Sequence, residues 1–405
     1  MGPDAPTQPF QEHRIPGPLA AAAVALCGVC AFLELYCTQP LLPLLTREFH
    51  ASKTAAGMTV SAATLGVALS APIFGAMTER LARKRVIVGS LIGVSVPTLL
   101  AATSASLAQL IFWRFLEGIL LPGVFAVVVT YIGEEWPPQR VALVMSFYVS
   151  GTALGGFSGR LVGGILAQRY NWRVSFLALG AASMCGAAAV AAWLPHGRNR
   201  PHAAHGGTGM AAQMRMLLRN PRLVATFAVG FNILFSLVGV FTWITFQLSA
   251  APFFLSTAAL SSLFFVYLIG LVVTPGAGAL IPRVGLRAGV GGAILCSTIG
   301  VGLTLSQSLP AVIAGLALLS SGVFIAQTAT QTYLRVTSPP EARVSAAGLY
   351  LTFYYLGGTV GGVAPGAFWA WGRWPACVGC VVIMQAIALA VALAGWKNAG
   401  TAGIV

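Results

Sequence analysis

Long apolar stretches separated by short polar segments fill almost the whole chain. A membrane-spanning helix needs about 20 predominantly apolar residues, and these stretches reach that length. They are predicted to be helices because lipid offers no partner for backbone N–H and C=O groups. They also lack the polar–apolar alternation that marks the strands of a membrane barrel. Twelve spans are predicted, at residues 18–44, 55–77, 86–104, 107–131, 141–167, 172–194, 222–247, 258–281, 288–306, 309–334, 344–368 and 374–396.

The polar segments divide the chain into parts. Residues 1–17 form a polar, proline-rich tail, and residues 397–405 form a second tail. The segment 195–221 contains Gly, His and Arg without a helical apolar stripe, and it is predicted to be a cytosolic linker. The chain is therefore predicted to be an all-α membrane protein with two six-helix bundles, at 18–194 and 222–396.

Composition agrees with lipid as the surrounding medium. Hydrophobic residues make up 57% of the chain and charged residues 8%, whereas soluble domains carry roughly 25% charged residues. The net charge of +14 is compatible with a nucleic-acid partner, but most basic residues fall in predicted loops on one side of the membrane. We therefore expect a lipid bilayer, and no nucleic acid, as a partner. The first apolar stretch has no cleavage site after it and is predicted to be a retained span, not a signal peptide.

The distribution of basic residues indicates the orientation, because cytosolic loops hold the excess of Lys and Arg. If the N-terminus is cytosolic, the basic residues on the opposite side are Arg47, Lys53, Arg169, Arg173 and Arg373, and most of the others are cytosolic. This bias predicts a multi-pass protein of the inner (plasma) membrane with both termini in the cytosol.

One loop of the sequence occurs twice. Residues 75–85 form a short cationic segment between two predicted spans. An offset of 203 residues aligns Gly75 with Gly278, and the same offset aligns Arg140 with Arg343 in another loop. Because one offset serves two separate loops, the chain is predicted to consist of two similar halves.

The repeated loop resembles the signature of the major facilitator superfamily, Gly-x-x-x-Asp-Arg-x-Gly-Arg-Lys-Arg between helices two and three. Here Glu79 stands in place of the Asp and Ala82 in place of the second Gly. The matching residues are Gly75, Arg80, Arg83, Lys84 and Arg85 in the first copy and Gly278, Arg283, Gly285 and Arg287 in the second, which has Pro282 at the acidic position. The resemblance implies two parallel six-helix halves around a midplane cavity that opens to each side in turn, in a protein that acts as a monomer.

Other motifs resemble one branch of this superfamily, the YnfM-like transporters related to the drug:proton antiporters. These motifs are Tyr36-x-x-Gln39-Pro, Gly155-Gly-Phe-Ser-Gly-Arg160 and Asn171-Trp-Arg173. The helix-five motif of the drug antiporters, Gly-x-x-x-Gly-Pro-x-x-Gly-Gly, has Gly156 here in place of Pro and Arg160 in place of the last Gly. An extra cation therefore faces the cavity or helix eleven. Arg114 and Gly118 match the helix-four motif Arg-x-x-x-Gly, whose Arg is implicated in proton coupling.

Two acidic residues, Glu34 and Glu117, lie inside predicted spans. A charge at bilayer depth costs about 2.5–3.5 kcal/mol on insertion scales, so each is a candidate functional group. Glu117 follows Arg114 by three residues on one helix face, and the two form either a structural ion pair or a proton site. Glu34 is either kept neutral by desolvation or paired with Arg114 or Arg160 across the cavity. The predicted proton-coupling residues are Glu34, Arg114 and Glu117.

Polar and aromatic residues inside the spans are candidates for binding substrate. Tyr354 and Tyr355, beside a Gly-rich face, are the strongest because aromatic rings bind flat or apolar ligands. For the Asn and Gln residues, hydrogen bonding between neighbouring helices is the alternative role. The predicted substrate-binding set is Tyr36, Gln39, Arg160, Asn232, Trp243, Gln327, Gln331, Tyr354 and Tyr355.

The resemblance also implies a latch in the cytosolic loops that favours the outward-facing state. Glu79 stands where the family's Asp caps and latches helix eleven, and Glu134 is a candidate partner for Arg83 or Arg80. The predicted latch residues are Gly75, Glu79, Arg80, Arg83, Glu134, Arg140, Arg283 and Arg343.

Together these features predict a proton-coupled secondary transporter that exports a small organic molecule. The alternative is a symporter that imports a sugar or an organic anion, with Arg114 and Arg160 binding the anion. The sequence contains no nucleophile triad, phosphate loop or metal cluster, and Cys27-x-x-Cys30 and Cys377-x-x-Cys380 lack further ligands. We therefore predict neither an enzyme nor a cofactor or metal, and no direct drive by ATP. A channel would not need two similar halves with latch loops.

Overall fold

The computed structural model describes residues 16–77, 82–195, 210–339 and 342–396, and these are nearly all helical. Short 3₁₀ turns lie at Gln39–Leu41 and Leu263–Leu268. The helices are α1 Pro18–Leu35, α2 Leu42–Glu48, α3 Lys53–Met77, α4 Arg83–Ala101, α5 Leu107–Leu120, α6 Pro122–Glu135, α7 Pro138–Arg169, α8 Trp172–Trp193, α9 Met210–Arg219, α10 Pro221–Leu248, α11 Thr257–Ser262, α12 Ile269–Val284, α13 Leu286–Leu303, α14 Leu309–Thr337, α15 Arg343–Val363 and α16 Pro365–Gly395.

These helices make twelve spans, because α1–α2, α5–α6 and α11–α12 each form one interrupted span and α9 lies outside the series. Within the described part of the chain, eleven stretches are long and apolar enough to cross a membrane. The remaining span is α15, whose Tyr, Thr and Gly residues lower its mean hydropathy. The predicted all-α fold of two pseudo-symmetric six-helix bundles is confirmed: α1–α8 form the first half and α10–α16 the second.

The two halves repeat one packing arrangement. In the first half α1 packs against α7, and in the second half α10 packs against α15. A Cβ atom added at Gly159 would lie 1.7 Å from the carbonyl oxygen of Leu33, and one at Gly357 would lie 1.9 Å from that of Phe231. Glycine is therefore needed at these contacts, where the helix backbones approach closely.

The linker differs from its sequence-based description. Residues 196–209 lie outside the described residues, but Met210–Arg219 is a helix. The expectation of no helical apolar stripe was wrong for this part, because Met214 and Leu217 share one face three residues apart. Leu217 is buried against the second half, and Gln213 accepts a hydrogen bond from Ser345 at the start of α15, at 2.7 Å.

We call the side of the bundle where the described chain begins and ends the termini side, and the opposite side the far side. The hydrogen bonds that connect the halves within the described residues join Gln39 to Thr242, Ser61 and Thr64 to Thr359, and Gln168 to Ala258. All of them lie in the middle or far-side portions of the spans. The halves are thus hydrogen-bonded to each other in the middle of the bundle and toward the far side.

Candidate transport site

A buried ion pair lies inside the first half. Arg114 of α5 donates from Nη1 to both carboxylate oxygens of Glu117, at 2.7 and 2.6 Å, and neither side chain is exposed. Their spacing of three residues places both on one face of the helix. Thr98 of α4 donates a further hydrogen bond to Glu117 at 3.2 Å. The carboxylate is therefore held by a neighbouring helix as well as by its own.

The remaining contacts of Arg114 depend on the end of α1 at Leu35. Beyond this residue the chain continues into the 3₁₀ turn, where a proline lacks an N–H group. The carbonyl oxygens of Glu34 and Leu35 accept hydrogen bonds from Arg114, the first at 2.9 Å. The carbonyl of Thr59 accepts from Nε at 3.3 Å. Broken helices are tolerated in membranes where the freed backbone groups are satisfied by protein, as they are here.

The carboxyl group of Glu34 lies beside this ion pair and is fully buried. Neither of its oxygens has a hydrogen-bond partner among the described residues; only the backbone carbonyl of Glu34 contacts Arg114. The proposed pairing of its side chain with Arg114 or Arg160 is therefore not present in this conformation. The polar groups near the carboxyl are Glu117, Arg114 and the hydroxyls of Ser183 and Thr98.

Glu34, Arg114 and Glu117, which we call the carboxyl cluster, contain one guanidinium and two carboxyl groups. If both carboxyls were ionised, the cluster would carry one excess negative charge. One proton makes the cluster neutral. Because an unpaired buried charge costs several kcal/mol, the cluster has the composition of a site that holds one proton.

A second buried arginine lies between the two halves. Arg160 of α7 is 1% exposed. It donates from Nε to Oε1 of Gln39 at 2.8 Å and from Nη1 to the carbonyl oxygen of Gly156. Its guanidinium also lies over aromatic rings of both halves, 4.7 Å from Tyr36 and 4.5 Å from Tyr267. A third ring, that of Phe264, is at 4.8 Å.

Gln39 connects this arginine to the second half, because its Nε2 donates to the hydroxyl of Thr242 at 3.3 Å. A row of aromatic side chains continues nearby in α15. Tyr354 and Tyr355 meet edge to face with centroids 5.5 Å apart, and Tyr355 stacks on Phe125 of the first half at 5.9 Å. The structure thus brings Tyr36, Gln39 and Arg160 together and places aromatic residues of α15 at the same interface.

The other predicted substrate residues lie elsewhere. Asn232 is buried inside the second half, where it lines a small cavity with Ser236, Ser297 and Gln385. Trp243 is buried near the far side and donates to the carbonyl oxygen of Gly362 at 3.2 Å. Gln327 is half-buried and Gln331 is exposed, both in α14. These four residues do not join the Arg160 group.

Sequence reasoning missed several residues of these sites. Thr98 and Ser183 near the carboxyl cluster, and Phe264 and Tyr267 around Arg160, were not singled out. Small hydroxyl and aromatic side chains are common in apolar spans, and nothing in the local pattern distinguishes these from lipid-facing or helix-packing residues. Only the packing of distant spans brings them to the arginine and the carboxyls.

The predicted latch is described only in part. Glu79 and Arg80 lie outside the described residues, and Gly75 lies in the last turns of α3. Arg83 donates to both oxygens of Glu134, at 3.1 and 2.8 Å, a pair that joins α4 to α6 within the first half. Arg140, Arg283 and Arg343 are exposed.

Comparison with known proteins agrees with this architecture. The chain is 33% identical over 375 residues to the inner membrane transport protein YnfM of Escherichia coli, covering 91% of this chain and 88% of that protein. It is 32% identical to the uncharacterized MFS-type transporter YybF of Bacillus subtilis, covering 89% of each. A crystal structure of a bacterial homolog of the human lysosomal transporter Spinster, in an inward-facing and unoccupied conformation, superposes with a TM-score of 0.80 at 16% identity over 94% of this chain and 99% of that one.

The crystal structure of a point mutant of the nucleoside transporter NupG gives a TM-score of 0.76 at 13% identity and covers 94% of this chain and 99% of that one. The model of the Major Facilitator Superfamily matches residues 24–362. The resemblance inferred from the loop motifs is thereby confirmed, and the chain belongs to the major facilitator superfamily of membrane transporters.

Proposed function

We propose that this chain is a proton-coupled secondary transporter that exports a small organic molecule across the inner membrane by alternating access. The observation that carries the proposal is the carboxyl cluster: Glu34 is fully buried, and both of its carboxyl oxygens lack a hydrogen-bond partner among the described residues. An embedded ionisable group is by default a functional one. Its neighbour Glu117 already forms an ion pair with Arg114, so Arg114 does not neutralise Glu34 as well.

Proton binding and release follow from the charge of this cluster. Arg114 has fixed contacts to a carboxylate and three backbone carbonyls, so it acts as a permanent charge. A proton on one of the two carboxyls makes the cluster neutral in the closed, dry conformation. Exposure of the cluster to water would supply hydration for the second carboxylate and release the proton. Coupling to export results because the transporter without substrate then returns between the two conformations only with the proton bound.

Alternating access is supported by the placement of contacts between the halves. The hydrogen bonds between the halves that involve described residues lie in the middle and toward the far side. With both termini in the cytosol, as the distribution of Arg and Lys indicates, this conformation is closed to the outside. The protein is expected to work as a monomer, because each chain holds both halves of the site.

The test uses everted membrane vesicles with an acidic interior and a panel of cationic dyes, sugars and organic acids. For the wild type we expect one class of compound to trigger proton efflux from the vesicles. Glu117→Gln and Glu34→Gln should each abolish this efflux while the protein remains folded in the membrane. Arg173→Gln, at an exposed ion pair on the far side, should behave like the wild type.

Preserved coupling in Glu117→Gln would reduce Glu117 to a structural partner of Arg114, and preserved coupling in both glutamine variants would remove the cluster from the mechanism. Uptake coupled to protons in the opposite direction would support the second candidate, a symporter that imports a sugar or an organic anion. The buried charge of Arg160 favours the anion within that alternative.

A further inference from the structure

The charge of Arg160 is not balanced by any described carboxylate. The ion pairs among the described residues are Arg83–Glu134, Arg114–Glu117 and Arg173–Glu48. The ionisable groups that face Arg160 are those of Tyr267, Tyr36 and Cys37. Since an arginine side chain keeps its charge in proteins, Arg160 is a cation at the interface of the halves without a counter-ion among the described residues.

The contacts of Arg160 offset only part of the cost of this burial. A guanidinium has five N–H donors, and its hydrogen bonds to described residues come from Nε and Nη1. The aromatic faces of Tyr36, Phe264 and Tyr267 contribute cation–π attraction. This attraction is smaller than the cost of burying an unpaired ion. Such an arrangement gains from an anion that arrives from outside the protein.

One nitrogen of the guanidinium has no hydrogen-bond partner among the described residues. Nη2 makes no hydrogen bond to a described residue, and it is not among the fully buried polar atoms that lack a partner. Nη2 therefore keeps a slight accessible surface in a residue that is 1% exposed overall. An edge of a guanidinium is suited to a planar carboxylate, which it binds with two parallel hydrogen bonds.

Phenolic hydroxyls converge on the same place. The hydroxyl of Tyr36 lies close enough to Tyr354, Tyr267 and Arg160 to interact with them electrostatically. These three tyrosines make no side-chain hydrogen bond to a described residue, and their hydroxyls too are absent from the fully buried unpartnered atoms. The rings come from α1's end, the 3₁₀ turn Leu263–Leu268 and α15, so both halves contribute. A carboxylate here would receive O–H donors in addition to the guanidinium.

The walls of this place are aromatic. Tyr355 and Phe125 form a stacked pair that bridges the halves, and Tyr267 meets Phe324 edge to face at 6.4 Å. Rings of this kind favour a flat or apolar body on the ligand. A cationic ligand would be repelled by Arg160, and a sugar would leave its charge unbalanced.

We propose that Arg160, together with the hydroxyls of Tyr36, Tyr267 and Tyr354, binds the carboxylate of the transported substrate, a small organic anion with an aromatic or apolar body. This inference rests on the proposed function, because it takes the protein to be a transporter. It holds for either direction of flux. Binding energy from both halves at one anion would also draw the halves together around the substrate.

The test measures binding to the full-length protein purified in detergent, by isothermal titration calorimetry, so that it does not depend on proton coupling. The probes are benzoate, the neutral amide benzamide and the cation benzylammonium, with butyrate as an aliphatic carboxylate. We expect saturable binding of benzoate and at least tenfold weaker binding of the amide and the cation. Arg160→Gln should weaken benzoate binding about tenfold or more, because it removes a charged hydrogen bond.

Matched variants keep this test interpretable. Arg173→Gln, which removes an exposed arginine, should bind benzoate like the wild type. If Arg160→Gln does not fold, Tyr267→Phe keeps the ring and removes one hydroxyl, and it should weaken benzoate binding severalfold without changing the binding of benzamide.

Three results would overturn the proposal: no binding of either carboxylate to the wild type, equal binding of benzoate and benzamide, or unchanged benzoate binding in Arg160→Gln. Failure of the anion proposal and failure of proton coupling are distinguishable. Benzoate binding without coupled proton movement would leave the anion site standing and remove the coupling. Proton movement coupled only to a cation or a sugar would leave the coupling standing and remove the anion site.

Discussion

At the scale of single residues, two equally buried arginines stand in opposite electrostatic situations. Arg114 forms an ion pair with Glu117 and donates hydrogen bonds to three backbone carbonyl oxygens. Its charge is therefore fixed and compensated. Arg160 has an amide oxygen, one carbonyl and three rings, but no carboxylate among the described residues. The first arrangement suits a permanent part of a proton site. The second suits a residue whose counter-ion comes and goes.

The sequence left open whether Arg114 and Glu117 form a structural pair or a proton site, and a double-mutant cycle tests the structural contribution. Arg114→Gln should destabilise the protein by about 3–5 kcal/mol, because it leaves Glu117 buried without its partner. The double variant Arg114→Gln/Glu117→Gln should be more stable than Arg114→Gln alone, since no unpaired charge remains. The measurement is the unfolding of the purified protein in detergent. Strictly additive losses would show that the two groups do not stabilise each other.

At the scale of elements, α1 packs closely against α7, and α10 packs closely against α15. These contacts depend on glycines that lie directly against a carbonyl oxygen of the opposite helix, as Gly159 lies against Leu33. The same α1 supplies Glu34 for the carboxyl cluster and, just past its end, Tyr36 for the Arg160 site. The position of both sites therefore depends on this one helix pair.

Gly159→Ala should disturb this helix pair. A Cβ atom 1.7 Å from the carbonyl oxygen of Leu33 would force the backbones apart, so we expect a lower unfolding temperature and weaker transport. Gly89→Ala in α4 is the matched control, since nothing lies within 4 Å of its added Cβ. That change should stabilise its helix by up to about 1 kcal/mol. Equal stability of the two variants would contradict the assigned role of the α1–α7 contact.

The regular parts of these elements were readable from the sequence, and their interruptions were not. The spans near 172–194 and 222–247 correspond closely to α8 and α10. The stretch 18–44 contains α1, a 3₁₀ turn and only the first residues of α2, and 258–281 includes the turn Leu263–Leu268. Proline is tolerated in membrane helices when neighbours satisfy the backbone. A proline in an apolar run therefore did not reveal whether the helix would break.

The same limit applies to the site. The ionisable residues stood out because charge is rare at bilayer depth, and Arg114 and Glu117 share one helix, so their pairing followed from local spacing. The ring of Tyr267 reaches Arg160 from more than 100 residues away in the sequence. Such a contact depends on how the halves dock, which periodicity within a single span does not determine.

At the scale of the whole molecule, the conformation is held by contacts between the halves at the far side. Besides hydrogen bonds, these include Lys53 at the start of α3. Its Nζ lies 4.5 Å from the ring centre of Trp369 and 5.9 Å from that of Phe246, both in the second half. Trp369 also packs on Trp243 at 5.9 Å. Because the contacts of Lys53 cross between the halves, opening of the far side must break them. They stabilise one conformational state relative to the other.

Lys53→Gln should therefore shift the protein toward the conformation that is open at the far side. Cation–π attraction of about 0.5–2 kcal/mol corresponds to a change of about two- to thirtyfold in the ratio of the two states. The measurement is the distance between spin labels in the far-side loops 49–52 and 249–256, by pulsed electron paramagnetic resonance, in a variant whose native cysteines are replaced. We expect a larger population at long distances in Lys53→Gln.

Arg173→Gln is the control, because Arg173 lies over Trp172 at 4.4 Å within the first half and its loss should leave the distances unchanged. If both variants shift the distribution equally, the change reflects general loosening of the far side. If neither does, the hydrogen bonds between the halves hold this side closed without Lys53.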